Sequence, residues 1–183
     1  MEVVISDVLR KLLILEASRW VGTTEVGGNN KGQIVEKFQK TVDSKAQGEA
    51  WCMAAVQTWC VWTKNYFDTC HPPLKDTIKL AIYPSEHCLT VWNKTDPRCR
   101  IKSPTPGCVI IWRRGQTTNG HTGIFVEMLP NGKMKTIEGN TGDGKGVVRD
   151  GDGVYFRERS LTGEGDMKVV GFIDPFWIPK ADS

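Results

Sequence analysis

The apolar pattern of this chain changes character once, near Pro104 and Pro106, and that change limits the fold more than any other feature. Before the prolines, apolar residues recur at helical spacing. Leu9, Leu12, Leu13 and Trp20 share one side of a first segment, with Asp7 as its expected cap. Ile34, Val35 and Phe38 mark a second, short helix, and Ala55, Val56 and Trp59 form the inner face of a third that starts near Cys52. Residues 68–106 predict two short helices bounded by prolines. After the prolines the runs are strand-like. "CVIIW" reads as a buried strand, "HTGIFVEML" and "KMKTIEG" flank the turn "PNG", and "GVVRD", "GVYFRERS" and "VVGFIDP" supply further strands. Helices first and hairpin-linked strands afterwards predict an α+β fold, with N-terminal helices packed on an antiparallel sheet.

At 183 residues the chain suits one domain, 1–183. No apolar run reaches the roughly 18 residues of a membrane span, so no transmembrane segment is expected. The N-terminal stretch has helical apolar spacing and lacks both a basic n-region and a small-residue cleavage site, so no secretory signal is expected. A net charge of +3 from scattered basic residues argues against a nucleic-acid partner, while it suits approach to an acidic polymer such as a cell wall. Monomer is the expected state.

Six cysteines stand at positions 52, 60, 70, 88, 99 and 108. If Cys52 is a free thiol, five remain, and an odd number leaves at least one more unpaired. The adjacent pairs Cys70–His71 and His87–Cys88 converge poorly on one ion, so no zinc and no other metal or cofactor is expected. "DGDG" at 150–153 reads as a tight turn rather than a calcium loop. Trp20, Trp59, Trp112 and Trp177 read as core, whereas Trp51 and Trp62 are candidates to line a groove.

Cys52 raises a chemical question, because "GEAWCMAAVQTWC" puts a thiol where a helix begins. Backbone N–H groups at a helix start stabilise a thiolate, as does a nearby imidazolium. His121 opens the strand pattern "HTGIFVEM", and "TIEGN" lies across the predicted hairpin. Glu138 and Asn140 differ by two positions, which predicts that both project to one face, beside His121. A carboxylate or carboxamide there would fix the imidazole tautomer and leave the other nitrogen to serve the thiol. Each residue alone is ordinary: a buried cysteine, a loop histidine, a surface charge and a turn asparagine. Together Cys52, His121, Glu138 and Asn140 make a complete catalytic set.

The ordered motifs "WCMAAVQTWC", "PGCVIIWRRGQTTNGHTGIFVE", "TIEGNT" and "VYFRERS…VVGFIDP" resemble the CHAP family of cysteine- and histidine-dependent amidohydrolases and peptidases, relatives of the NlpC-type enzymes. The resemblance implies a papain-like fold and cleavage of a peptidoglycan amide bond. The cut would fall at N-acetylmuramoyl-L-alanine, within the stem peptide or in the cross-bridge. By motif, Cys52 matches the nucleophile, His121 the base, Glu138 the residue that orients the imidazole, and Asn140 a polar position near the site. The family's acidic residue after Pro-Gly is Cys108 here, and Trp51 replaces the Gln some members carry before the nucleophile. Gln47 is therefore the candidate side-chain donor to the oxyanion. Some relatives bind calcium before the nucleophile, but "DSKAQGE" holds only Asp43 and Glu49, so no calcium site is expected.

The partner expected is bacterial peptidoglycan. Without a signal peptide, release from the cytoplasm would need a holin-type lesion or a dedicated secretion machine, and a secreted effector would be paired with an immunity protein. A non-catalytic wall-binding module and a cytoplasmic thiol amidase acting on a peptide conjugate are the competing readings.

Overall fold

The computed structural model describes residues 2–144 and 151–179. Four helices run through the first half: α1 (Glu2–Ser18), α2 (Gln33–Asp43), α3 (Cys52–Cys70) and α4 (Cys88–Lys94). Between and after them come short strands β1 (Lys79–Leu80) and β2 (Arg100–Ile101), then β3 (Val109–Arg114), β4 (Gly120–Met128), β5 (Met134–Thr141), β6 (Gly153–Arg159), β7 (Gly163–Glu164), β8 (Met167–Ile173) and β9 (Phe176–Trp177). The main sheet has the order β2-β8-β3-β4-β5-β6 with β7 added on β8, and every pairing is antiparallel. The fold is α+β, with helices packed on an antiparallel sheet, as the pattern change at the prolines implies.

The central helix is α3. Every residue from Trp51 to Cys60 is buried, because α1 and α2 cover one side of the helix and β4 and β5 the other. A helix apolar on all sides is stable only when enclosed in this way. Fully burying a side chain such as Val56 stabilises the fold by about 1.5–3 kcal/mol. Alternation along the strands divides the rest of the core. Val109, Ile111, Ile124 and Ile137 join the helices, whereas Ile110, Trp112, Phe125 and Met134 build a second cluster.

Two local expectations change. Helix α1 begins at Glu2, so Asp7 is an interior residue and not a cap; its carboxylate instead accepts Arg10 Nη2, and Arg10 also pairs with Asp174. The region 68–106 holds one α-helix, α4, and single 3-10 turns at Pro72–Leu74 and Pro97–Cys99, because each proline supplies no amide to extend a helix. The predicted strand "GVVRD", 146–150, lies outside the described residues, as does Asp150 of the "DGDG" turn. The "PNG" hairpin forms, closed by Leu129 N–H donating to Lys133 O at 2.8 Å.

Candidate active site

Cys52 is the first residue of α3, preceded by Trp51, whose side chain makes no capping bond. Its first turn is pressed against the sheet at Gly139 of β5. A Cβ at Gly139 would stand 2.9 Å from the Ala55 Cβ and 3.0 Å from the Trp51 ring, so only glycine lets helix and strand approach this closely. The Cys52 sulfur takes a hydrogen bond from the Met53 backbone, meets the His121 imidazole, and lies 3.8 Å from the Cys88 sulfur.

His121 follows Gly120 at the start of β4 and pairs with Trp112 across β3; the two rings stack with centroids 5.7 Å apart. The imidazole Nε2 is 2.8 Å from Glu138 Oε2. That engagement leaves Nδ1 as the nitrogen for the Cys52 sulfur. Glu138 is fully buried and also accepts Arg159 Nε at 2.9 Å, Arg159 Nη2 at 2.6 Å and the Thr136 hydroxyl at 2.6 Å. The bidentate guanidinium is what permits a carboxylate to stay ionised away from water.

Charge in the site follows from these contacts. Burial opposes ionisation of Glu138, but the Arg159 and His121 hydrogen bonds overcome it and hold the carboxyl well below its usual range. Burial likewise opposes an imidazolium, yet bonds to Cys52 and Glu138 raise His121 to about 9. For Cys52 the hydrogen bond from the Cys88 thiol outweighs burial, and His121 adds to it, so the thiol ionises well below its ordinary range. These shifts all favour a thiolate–imidazolium pair backed by a carboxylate and a guanidinium.

The matching family is decided by a stretch that contains this geometry: the family model of the CHAP domain matches residues 44–140, just over half of the chain. The chain belongs to the CHAP family. Membership places it among amidase- and peptidase-type hydrolases. No curated protein and no solved structure matches it. The matched stretch carries Cys52, His121, Glu138 and Asn140, while Arg159 lies beyond it.

In this CHAP domain Cys52 and His121 open onto a cleft of about 330 Å3, with Glu86, Cys88, Asn119 and Asn140 among its walls. Glu86 is pushed up to about 7, by burial first and then by Glu49 beside it. Beyond His121 a smaller pocket of about 170 Å3 is lined by Arg114, Arg157 and Arg159. No cluster of three His, Cys, Asp or Glu side chains fit to hold a metal occurs among the described residues.

Three candidates sit elsewhere than the sequence suggested. Asn140 lines the cleft but donates its carboxamide N–H to Asn30 Oδ1 at 2.7 Å instead of meeting the imidazole. The cause is a register shift between Glu138 and Thr141, with Asn140 in left-handed backbone at φ 51°, so the two-residue alternation fails at that point. Thr141, not Asn140, approaches Arg159, at 3.4 Å. Gln47 is exposed and absent from the cleft wall; its backbone N–H is spent on Glu49 Oε2. Trp51 is sealed in the core, its indole donating to Glu25 at 2.8 Å, and cannot touch substrate. Trp62 lines a separate groove with Trp20 and Tyr66. Arg159, inside "VYFRERS", and Cys88, in the His87–Cys88 pair, are central to the charge balance, but residue type does not point either to this site; the β5–β6 register and the packing of α4 bring them in.

Proposed function

We propose that this CHAP protein hydrolyses a peptidoglycan amide bond through a thioester on Cys52. The observation that supports the reading most directly is the convergence of the Cys52 sulfur, the His121 imidazole and the Glu138–Arg159 pair at the foot of one open cleft. The thiolate attacks the scissile carbonyl carbon. The negative charge that develops on oxygen is met by backbone N–H groups at the start of α3, which have no acceptor within the helix. One such donor contributes roughly 3–4 kcal/mol in comparable acyl transfers. His121 gives its Nδ1 proton to the leaving amine, and the C–N bond breaks. The neutral imidazole then takes a proton from water, the hydroxyl adds to the thioester, and the Cys52 thiolate departs as the acid is released. Glu138 keeps the ring turned so that Nδ1 faces the sulfur throughout, and Arg159 keeps Glu138 ionised.

A wall peptide fits the cleft's charge distribution. Stem peptides carry free carboxylates, which suit the arginines beyond His121, and amines, which suit the Glu86 side. Digestion of purified sacculi, with mass analysis of the soluble products, tests the proposal. The expected result is release of fragments bearing a new amine and a new carboxylate: intact stem peptides for an amidase, shortened stems for an endopeptidase. Sacculi left undigested by reduced protein with a reactive Cys52 would overturn it.

A further inference from the structure

The mechanism above uses one sulfur, yet two share the cleft. Cys88, the first residue of α4, stands with its sulfur 3.8 Å from that of Cys52, and both side chains line the open cavity. Their approach is built into the packing. A Cβ at Gly120 would lie 2.8 Å from the Cys88 Cβ, so α4 reaches this position only because β4 carries glycine beside His121. Cys60, Cys99 and Cys108 are buried and do not line the cleft, and Cys70, which is exposed, stands at the far end of α3.

We propose that Cys52 and Cys88 form a reversible disulfide modification site, in which a low-molecular-weight disulfide of the glutathione type enters the cleft, oxidises the pair and blocks the nucleophile. The chemistry balances in two exchanges. The Cys52 thiolate attacks one sulfur of the small disulfide, forms a mixed disulfide and expels one small thiolate. Cys88 then loses its proton to that thiolate and attacks the Cys52 sulfur, expelling the second small thiolate, which is protonated from water. Two protein thiols are oxidised and one small disulfide is reduced to two thiols.

The order of the two attacks follows from the site. The contact between the two sulfurs lowers the Cys52 thiol and raises that of Cys88, with burial also raising Cys88. Once Cys52 is capped, that hydrogen bond is gone, and its removal frees Cys88 to ionise. To bond, the two sulfurs must close from 3.8 Å to about 2 Å.

Treatment of the whole reduced protein with oxidised glutathione, followed by alkylation, tryptic digestion and mass mapping, tests the proposal. Trypsin can cut between the two cysteines at Lys64, Lys75 and Lys79, so a bond between them appears as a cross-linked peptide pair. The expected result is that pair, two hydrogens lighter than the reduced peptides, lost again on adding dithiothreitol. In Cys88→Ala the expected product is instead a glutathione adduct persisting on Cys52. A stable glutathione adduct on Cys52 of the unsubstituted protein, linkage of Cys52 to any other cysteine, or an unmodified Cys52 would overturn the proposal. The mapping does not depend on wall hydrolysis. Loss of lysis on oxidation rests on the role proposed for Cys52, so a disulfide that forms in a protein unable to digest sacculi even when reduced refutes that role and leaves the modification site standing.

Discussion

Cys52 and Cys60 lie on the same helix, about 12 Å apart along its axis, and are nearly equally hidden from water, at 6% and 1% exposure. Their acidities diverge in opposite directions. Burial, and then the charge of Asp174, pushes the Cys60 thiol far above its ordinary range. Cys52 suffers burial too, but Cys88 and His121 drive it down. Burial therefore does not decide whether a cysteine is inert. What decides it is whether donors and a cation face the sulfur, and α4 and β4 bring those to α3 only at its first turn.

The comparison can be broken most severely by removing each sulfur in turn. Cys52→Ala is expected to lower the rate of sacculus digestion by a factor on the order of 10^4 or more, whereas Cys60→Ala should leave the rate near that of the unsubstituted protein and cost about 1 kcal/mol of stability through a small cavity. Digestion rates and a denaturant titration measure the two effects. Equal losses at both positions would mean that the thiol at 52 has no special chemistry.

Alkylation with iodoacetamide at neutral pH sharpens the contrast without any substrate. Cys52 should react at least about 100-fold faster than Cys60, and His121→Ala should narrow that gap by removing the cation beside the sulfur. Fragment-ion mass spectrometry of the tryptic peptide 46–64, which carries both cysteines, reads both rates.

Arg159→Met leaves the fully buried Glu138 without its bidentate partner. Such an orphaned charge costs about 3–5 kcal/mol, so unfolding should occur at clearly lower denaturant, and activity should fall about 10- to 100-fold as the imidazole loses its orienting carboxylate. Arg159→Lys keeps the charge but loses the fork, and is expected to recover part of both.

The smallest effect is one of pH. Activity should rise at low pH as Cys52 ionises and fall near pH 9, where the imidazolium of His121 loses the proton needed by the leaving amine. Glu138 stabilises that imidazolium, so Glu138→Gln should lower the His121 pKa and draw the alkaline limb toward neutrality. An alkaline limb unchanged in Glu138→Gln would contradict the assigned contact.

Some elements of this molecule are legible without coordinates and some are not. The inner face of α3, the "PNG" hairpin and the pairing of His121 with Glu138 follow from repeat spacing and turn chemistry, which act over a few residues. Asn140 departs from its expected contact because alternation holds only while the strand is regular, and the register shift after Glu138 is not written in the residue types. Trp51 lies in the core and not in a groove because its indole N–H finds Glu25, a partner far off in sequence.

Sequence alone determined that helices precede an antiparallel sheet, that a thiol opens the third helix, and that a histidine and a glutamate stand on neighbouring strands. Tertiary structure decided which residues complete the charge balance: Arg159 under Glu138, and Cys88 against Cys52. The reason is one of range. Periodicity and turns are set by nearest neighbours, whereas a guanidinium on β6 or a sulfur on α4 reaches the site only through strand register and the close approach that Gly120 and Gly139 allow.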